Sequence, residues 1–289
     1  LGREFVDYYP VTRDSIWVCL ENNYLELVTH NSKKAWDIKP LLRAQIADTT
    51  AFMAMLFGFP LTIFSDTVSV ATSTARFRTD NNGPHVPFMK ANYDVQFKIV
   101  GDSVRFIRKH NPNYEYFYVQ DYRKGVERTF INSDVVVYSY SHSDTLDMID
   151  FKAGTIKRTV LQTNNFQPNK PFEDAKGGDF KYLVEYVMEQ SRLSTGMYDK
   201  YREHFYQFLK HKGVYIEKDG TQNIFASDVD QSLFVLDKNL TQEKEIFIPP
   251  KTFKIAFKMF VTPGGLYAPA HESKQKYRDK TLFYKIVIP

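Results

Sequence analysis

The sequence predicts an all-β chain, a six-bladed β-propeller with about five blades inside its 289 residues. Three observations carry this. Aromatics make up 16% of the chain, 24 Phe and 19 Tyr against 2 Trp, spread along its whole length, and such side chains suit a pleated surface. Apolar residues recur with period 2 in short runs bounded by polar turns. The break at Asp14-Ser15 before "IWV" returns at Asp66-Thr67 and at Asp134 in "NSDVVV", each time at the same place in a four-strand unit.

The first unit reads "FVDYYPV", the Asp14 corner, "SIWVCLE", the turn Asn22-Asn23, "YLELVTH" and "KAWDIK". The second reads "LTIF", the Asp66 corner, "TVSVATS", the long insert 74–92, "YDVQFKIV", the turn Gly101-Asp102 and "SVRFIRK". The third is "ERTFIN", the Asp134 corner, "VVVYSYS", "LDMIDFKAG" and "TIKRTVL". A more divergent fourth has "MYDKYRE", "HFYQFLKH", an insert with Asp219-Gly220, "SLFVLDKNL" and "EKEIFIP". The fifth has "FKMFVT", the turn Pro263-Gly264-Gly265, "LYAPAH" and "TLFYKIVI". With Asp14, Asp66, Asp134, His204 and Gly264 as equivalent corners the steps are 52, 68, 70 and 60 residues, the signature of a constant blade with unequal loops. Blades are covered on both faces by neighbours, so middle strands such as "VVVYSYS" and "HFYQFL" are apolar on both parities. Asp and Ser fit the corners because their side chains bond local backbone. Since the fifth unit has three strands, a closing strand and most of one further blade are expected upstream of Leu1. The expected organisation is one propeller domain, 1–289, truncated or processed at its N-terminus.

Composition excludes several classes of function. The 38 basic and 34 acidic residues are well mixed, for a net charge of +4, so no basic stripe awaits nucleic acid. One cysteine, Cys19, excludes an internal disulfide and reads as a small buried apolar side chain. The apolar run 51–61 is broken by Gly58 and Pro60 and falls short of the roughly 20 residues of a bilayer span.

The segments "LGREFVDYYPVTRDSIWV", "FINSDVVVYSYSHSDTLDMIDFKAG", "YDKYREHFYQF" and "FVTPGGLYAP…TLFYKIVI" resemble the TolB-like six-bladed propeller lipoproteins of unknown function found in Bacteroidetes. The resemblance covers essentially the whole chain and has no catalytic signature. It implies export, an acylated cysteine upstream, and an outer-membrane lipoprotein facing the periplasm or the exterior. It also implies O-glycan acceptance at Asp-Ser/Thr-aliphatic triplets such as Asp14-Ser15-Ile16 and Asp144-Thr145-Leu146, which turn formation explains without any sugar.

Signatures of chemistry are sparse. No Gly-x-Ser-x-Gly elbow is present, nor a His-x-His or His-Glu-x-x-His spacing among the seven histidines, nor a nucleotide-binding glycine loop, so no metal or cofactor is expected. "FEDAKGGDF" and "IEKDGTQN" lack the calcium-loop pattern and read as solvated turns. The inner-strand segment 192–208 is the most suggestive. Tyr198, Tyr201, Arg202 and His204 would line a central channel with Tyr8, Arg128 and Asn132 from other blades, aromatics giving flat apolar contact and Arg a bidentate grip. The alternative is that Tyr and Arg there satisfy neighbouring carbonyls. Two functions remain: a non-enzymatic, surface-tethered binding or scaffold module serving an envelope protein, for instance an outer-membrane nutrient transporter, and a channel hydrolase or lyase acting on a glycan or peptide.

Overall fold

The computed structural model describes residues 5–20, 24–38, 40, 62–64, 67–73, 92–110, 126–141, 143–167, 180–253, 259–274 and 281–288. The apolar run 51–61, the corner Asp66 and nearly all of the insert 74–92 lie outside them. Contacts divide the chain into two compact units, Leu1–Phe117 and Tyr118–Pro289.

Unit one holds two antiparallel four-stranded meanders. In the first, β1 (Phe5–Thr12), β2 (Ser15–Leu20), β3 (Tyr24–Thr29) and β4 (Lys33–Asp37) follow one another in sheet order. Thr12 pairs with Ser15 across the Arg13-Asp14 corner, and His30 N–H donates to Asp14 O at 3.1 Å. In the second, β5 (Thr62–Phe64), β6 (Thr67–Ser73), β7 (Asn92–Val100) and β8 (Ser103–His110) repeat the order. Trp17 and Trp36 tilt against each other at 5.2 Å beside buried Leu25, and Val68, Val95 and Phe97 are buried in the second sheet. Lys34 ties the two sheets, reaching Asp102 at 2.5 Å and Gly101 O at 3.1 Å.

Unit two holds three sheets. β9 (Val126–Phe130), β10 (Val135–Tyr140), β11 (Thr145–Asp150) and β12 (Thr155–Val160) form one meander. β13 (Arg192–Asp199), β14 (His204–Lys210), β15 (Gln231–Asp237) and β16 (Gln242–Ile248) form the next. β17 (Phe260–Thr262), β18 (Gly265–Pro269) and β19 (Phe283–Ile286) form the last. Helix α1 (Phe180–Met188) precedes β13. No element was expected there, because its aromatic and β-branched content favours strands and only the tertiary setting overrides that preference.

The period of two decides how these sheets stack. Phe205 and Leu209 of β14 join Val137, Leu146, Phe234 and Leu236 in a core towards the β9–β12 sheet. Tyr206 and Phe208 point the other way, into a core with Leu233, Val235, Leu266 and Ala268 of the β17–β19 side. Every residue of β14 after His204 is therefore buried, as is nearly all of β10 and β15, whereas the outer strand β12 is almost wholly exposed. A four-stranded meander covered on both faces by other sheets is the setting of a propeller blade. First strands also meet: the Thr129 hydroxyl of β9 donates to Gly196 O of β13 at 2.8 Å, and β17 flanks β13 as well. The chain is all-β, of the β-propeller type expected.

The corners work by the anticipated chemistry, at positions slightly displaced. At the third corner the Asn132 side chain, two residues before Asp134, accepts from the amides of Asp134 and Val135 at 2.8 and 3.0 Å. Asp150, Asp199 and Asp237 close three further turns in the same way. A carboxylate or amide two to four residues ahead of an N–H closes the turn through the side chain.

Candidate functional site

The register of β13 against β14 sorts the residues singled out in the sequence. Tyr198 lies opposite Phe205 and packs on the β9–β12 core, where burial and then the Glu203 carboxylate push its phenol upward in pKa. Asp199 lies opposite His204 on the other face. Tyr198 and His204 thus point to opposite sides of one sheet. Tyr201 and Arg202 stand in the turn between the strands, and Tyr201 is exposed with the Lys200 ammonium 5.3 Å above its ring. Arg128 is buried on β9, its guanidinium 5.2 Å over the Phe130 ring. Asn132 is the corner residue described above, and Tyr8 sits in β1 of unit one, paired with Val18.

What unit two does gather is a polar knot around Asp199. This fully buried carboxylate accepts from the amides of Tyr201 and Arg202, from Arg202 Nη1 at 2.8 Å and from the Tyr206 hydroxyl at 3.2 Å. Arg202 continues outward, donating to Thr262 O at 3.2 Å and Pro263 O at 2.7 Å at the corner of the last sheet. The hydrogen bond to Asp199 holds the guanidinium in its charged form, and burial, with the nearby Asp199 charge, pushes the Tyr206 phenol far up. His204 Nε2 stands 3.2 Å from Glu243 Oε2. These bonds bind one blade to the next, so Arg202 here satisfies neighbouring carbonyls.

A second knot had no signal in the sequence because its members are far apart in the chain. Ser232, fully buried, donates from Oγ to Glu245 Oε1 at 2.6 Å, and the same oxygen accepts from Thr163 Oγ1 and Asn165 Nδ2 at 3.1 and 2.9 Å. His211 Nε2 is 2.8 Å from Ser232 Oγ. Because the hydroxyl proton is directed to the carboxylate, Oγ accepts from the imidazole. A nucleophilic serine needs the reverse, with the histidine taking its proton and the acid behind the histidine. Burial lowers the His211 pKa, keeping the ring neutral. The knot fastens segment 161–167 to β16, helped by the reciprocal bonds between Gln162 and Gln242.

Lys210 lies beside it. Its buried ammonium donates to Met188 O, Gln190 O and His211 O at 2.9, 2.6 and 3.1 Å, holding the end of α1. Burial, and then the Arg192 charge, pull its pKa down to about 7, while the three carbonyls favour the charged form.

The connection from β14 to β15 presents a different surface. Ile216 bridges Gln222 and the Asn223 amide donates to Tyr215 O at 2.8 Å, making a short ribbon closed by Gly220 at φ +85°. "IEKDGTQN" is thus the turn it was read as: the Thr221 amide bonds Asp219 and depresses its pKa. On the inner side Asn223 is buried, donating to Val214 O and Glu217 Oε1. The register sets Val214, Ile216 and Ile224 on the other side, each about half exposed, and Phe225 follows at 63% exposure. Among the described residues no group of three or more His, Cys, Asp or Glu is placed to hold a metal ion. No described helix is long and apolar enough to cross a membrane.

No family model and no curated protein matches the chain. Among solved structures, a member of the DUF4221 family from Bacteroides vulgatus superposes with a TM-score of 0.64 at 16% identity, over 94% of this chain and 75% of that one. At that identity the likeness is one of fold. BamB from Moraxella catarrhalis gives a TM-score of 0.38 at 8% identity, over 90% of this chain and 68% of that one, a similarity too low to carry an argument.

Proposed function

We propose that this chain is a non-enzymatic binding or scaffold module of the bacterial cell envelope, tethered to the outer membrane by a lipid upstream of the sequence, and that it serves a protein partner such as an outer-membrane nutrient transporter. The observation that carries the binding role is the ribbon 214–225. Its inner side is pinned by Asn223, its outer side leaves Val214, Ile216 and Ile224 in water, and the neighbouring Phe225 is exposed as well. Folding alone does not demand such a face, and clustered exposed apolar residues mark interaction sites. The polar residues near β13 and β14 support the same reading, since Arg202 and Asp199 bond to the fold. Envelope location, tether and transporter come from the sequence resemblance. The DUF4221 likeness concerns the fold and adds nothing to them.

The test is a paired capture from native membranes, with lipidated full-length protein as bait against an Ile216→Lys/Phe225→Lys form of equal thermal midpoint. A companion held by the parent and lost from the variant is expected. The same companions on both, or none on either, refutes the role of this face.

A further inference from the structure

The ribbon between β14 and β15 carries charge as well as apolar surface. Lys212 stands two residues before Val214 and Lys218 two residues after Ile216, and both are exposed. Exposed Lys251 borders the far end: its amide donates to Ser227 O at 2.7 Å, two residues beyond Phe225, and its charge, after the Thr221 bonds, helps to depress the Asp219 pKa. Among the described residues none of these three ammonium groups has an ion-pair or hydrogen-bond partner. The acids beside them are engaged. Glu217 accepts from Asn223 Nδ2 at 2.7 Å, Asp219 from the Thr221 amide at 2.9 Å, and Asp228 from the amides of Ile224 and Phe225 at 3.0 and 2.9 Å. The apolar face is thus rimmed by cations that the fold leaves to water.

Shape separates the two kinds of anionic partner. Val214, Ile216 and Ile224 are each about half covered, so they form a flat face and lack the reach of roughly 5–10 Å with which interfacial apolar residues enter a bilayer. The exposed Glu217 and Asp219 of the same ribbon would also meet the negative charge of a lipid surface spread over its whole plane. A protein places its carboxylates point by point, opposite lysines and away from acids.

We propose that the ribbon face docks an acidic, aliphatic segment of a partner protein, whose apolar side chains cover Val214, Ile216 and Ile224 and whose carboxylates pair with Lys212, Lys218 and Lys251. The inference rests on the binding role given to this face above and adds the chemistry of what it binds. The apolar centre holds the partner, while the rim of lysines selects it and sets the salt dependence.

The test uses the 289-residue protein and three synthetic peptides of one length, in which valine and isoleucine alternate with glutamate, with threonine or with lysine. The glutamate peptide is expected to shift the amide resonances of Val214, Ile216 and Ile224 and to bind at least about tenfold more tightly than the other two, an advantage that shrinks as salt is added. Lys212→Gln/Lys218→Gln, a change confined to exposed side chains, should remove that advantage and leave binding of the threonine peptide as it was. No shift with any peptide, or equal binding of the glutamate and threonine peptides, overturns the proposal. If the Ile216→Lys/Phe225→Lys form still loses its companion in the membrane capture, that failure is of the acidic chemistry alone and the binding role of the face stands. Shifts of the same amides by phosphatidylglycerol vesicles and by no peptide also overturn the proposal and assign the face to lipid.

Discussion

Asp199 and Lys210 show how far one buried charge can organise a blade. Asp199 fixes the β13–β14 turn, the Tyr206 hydroxyl and Arg202 at once. Replacing it with alanine leaves a buried hydroxyl and two turn amides unpaired, and is expected to cost about 2 kcal/mol in chemical denaturation. Lys210→Met orphans three carbonyls at the end of α1, a loss of roughly 2–4 kcal/mol at pH 7. The pH dependence has a definite sign. With a folded pKa near 7, below the value of about 10.4 for a solvated lysine, the unfolded chain binds more protons between the two, so this residue makes stability rise as pH increases from about 7 towards 10. Urea melts across that range should show the rise in the parent and its loss in Lys210→Met; equal slopes in both would refute the assignment.

At the scale of the element, strand alternation and corner chemistry explain the blades. The register irregularity between Leu193 and Gly196 brings Gly196 so close to β14 that an added Cβ would meet Phe205 Cζ at 2.5 Å and Gln207 Oε1 at 2.9 Å. Gly196→Ala should therefore lower stability by about 1–3 kcal/mol through overpacking, read as a lower urea midpoint with an unchanged m-value. The meanders and corners were legible in the sequence because turn residues and period 2 are local properties. Helix α1 was not, because FKYLVEYVM carries strand-forming residues, and its end is fixed by Lys210, 22 residues beyond Met188. The segment 192–208 is a strand, a turn and the start of the next strand, which opens at His204 as the run "HFYQFLKH" predicts. The turn sets Tyr201 and Arg202 at its tip.

For unit two as a body, the β13–β16 sheet is shared by two cores, one on each face. Phe208→Ala, on the β17–β19 side, is expected to cost roughly 3–5 kcal/mol. If the three sheets unfold as one cooperative body, amide exchange must accelerate in β10 as well as in β18. Acceleration confined to β18 would show that the sheets open separately.

Sequence by itself determined the all-β class, the repeated meander and the polar side chains that close the turns at Asn132 and Asp199, because these follow from neighbours within a few residues. Tertiary structure decided which polar groups meet. Ser232 and Glu245 are joined to Thr163 and Asn165 across some 80 residues, and Arg202 is joined to Thr262 and Pro263 across about 60. The physical reason is that a hydrogen bond depends on distance and direction in space, and stacking of sheets brings together residues whose separation in sequence carries no trace of their contact.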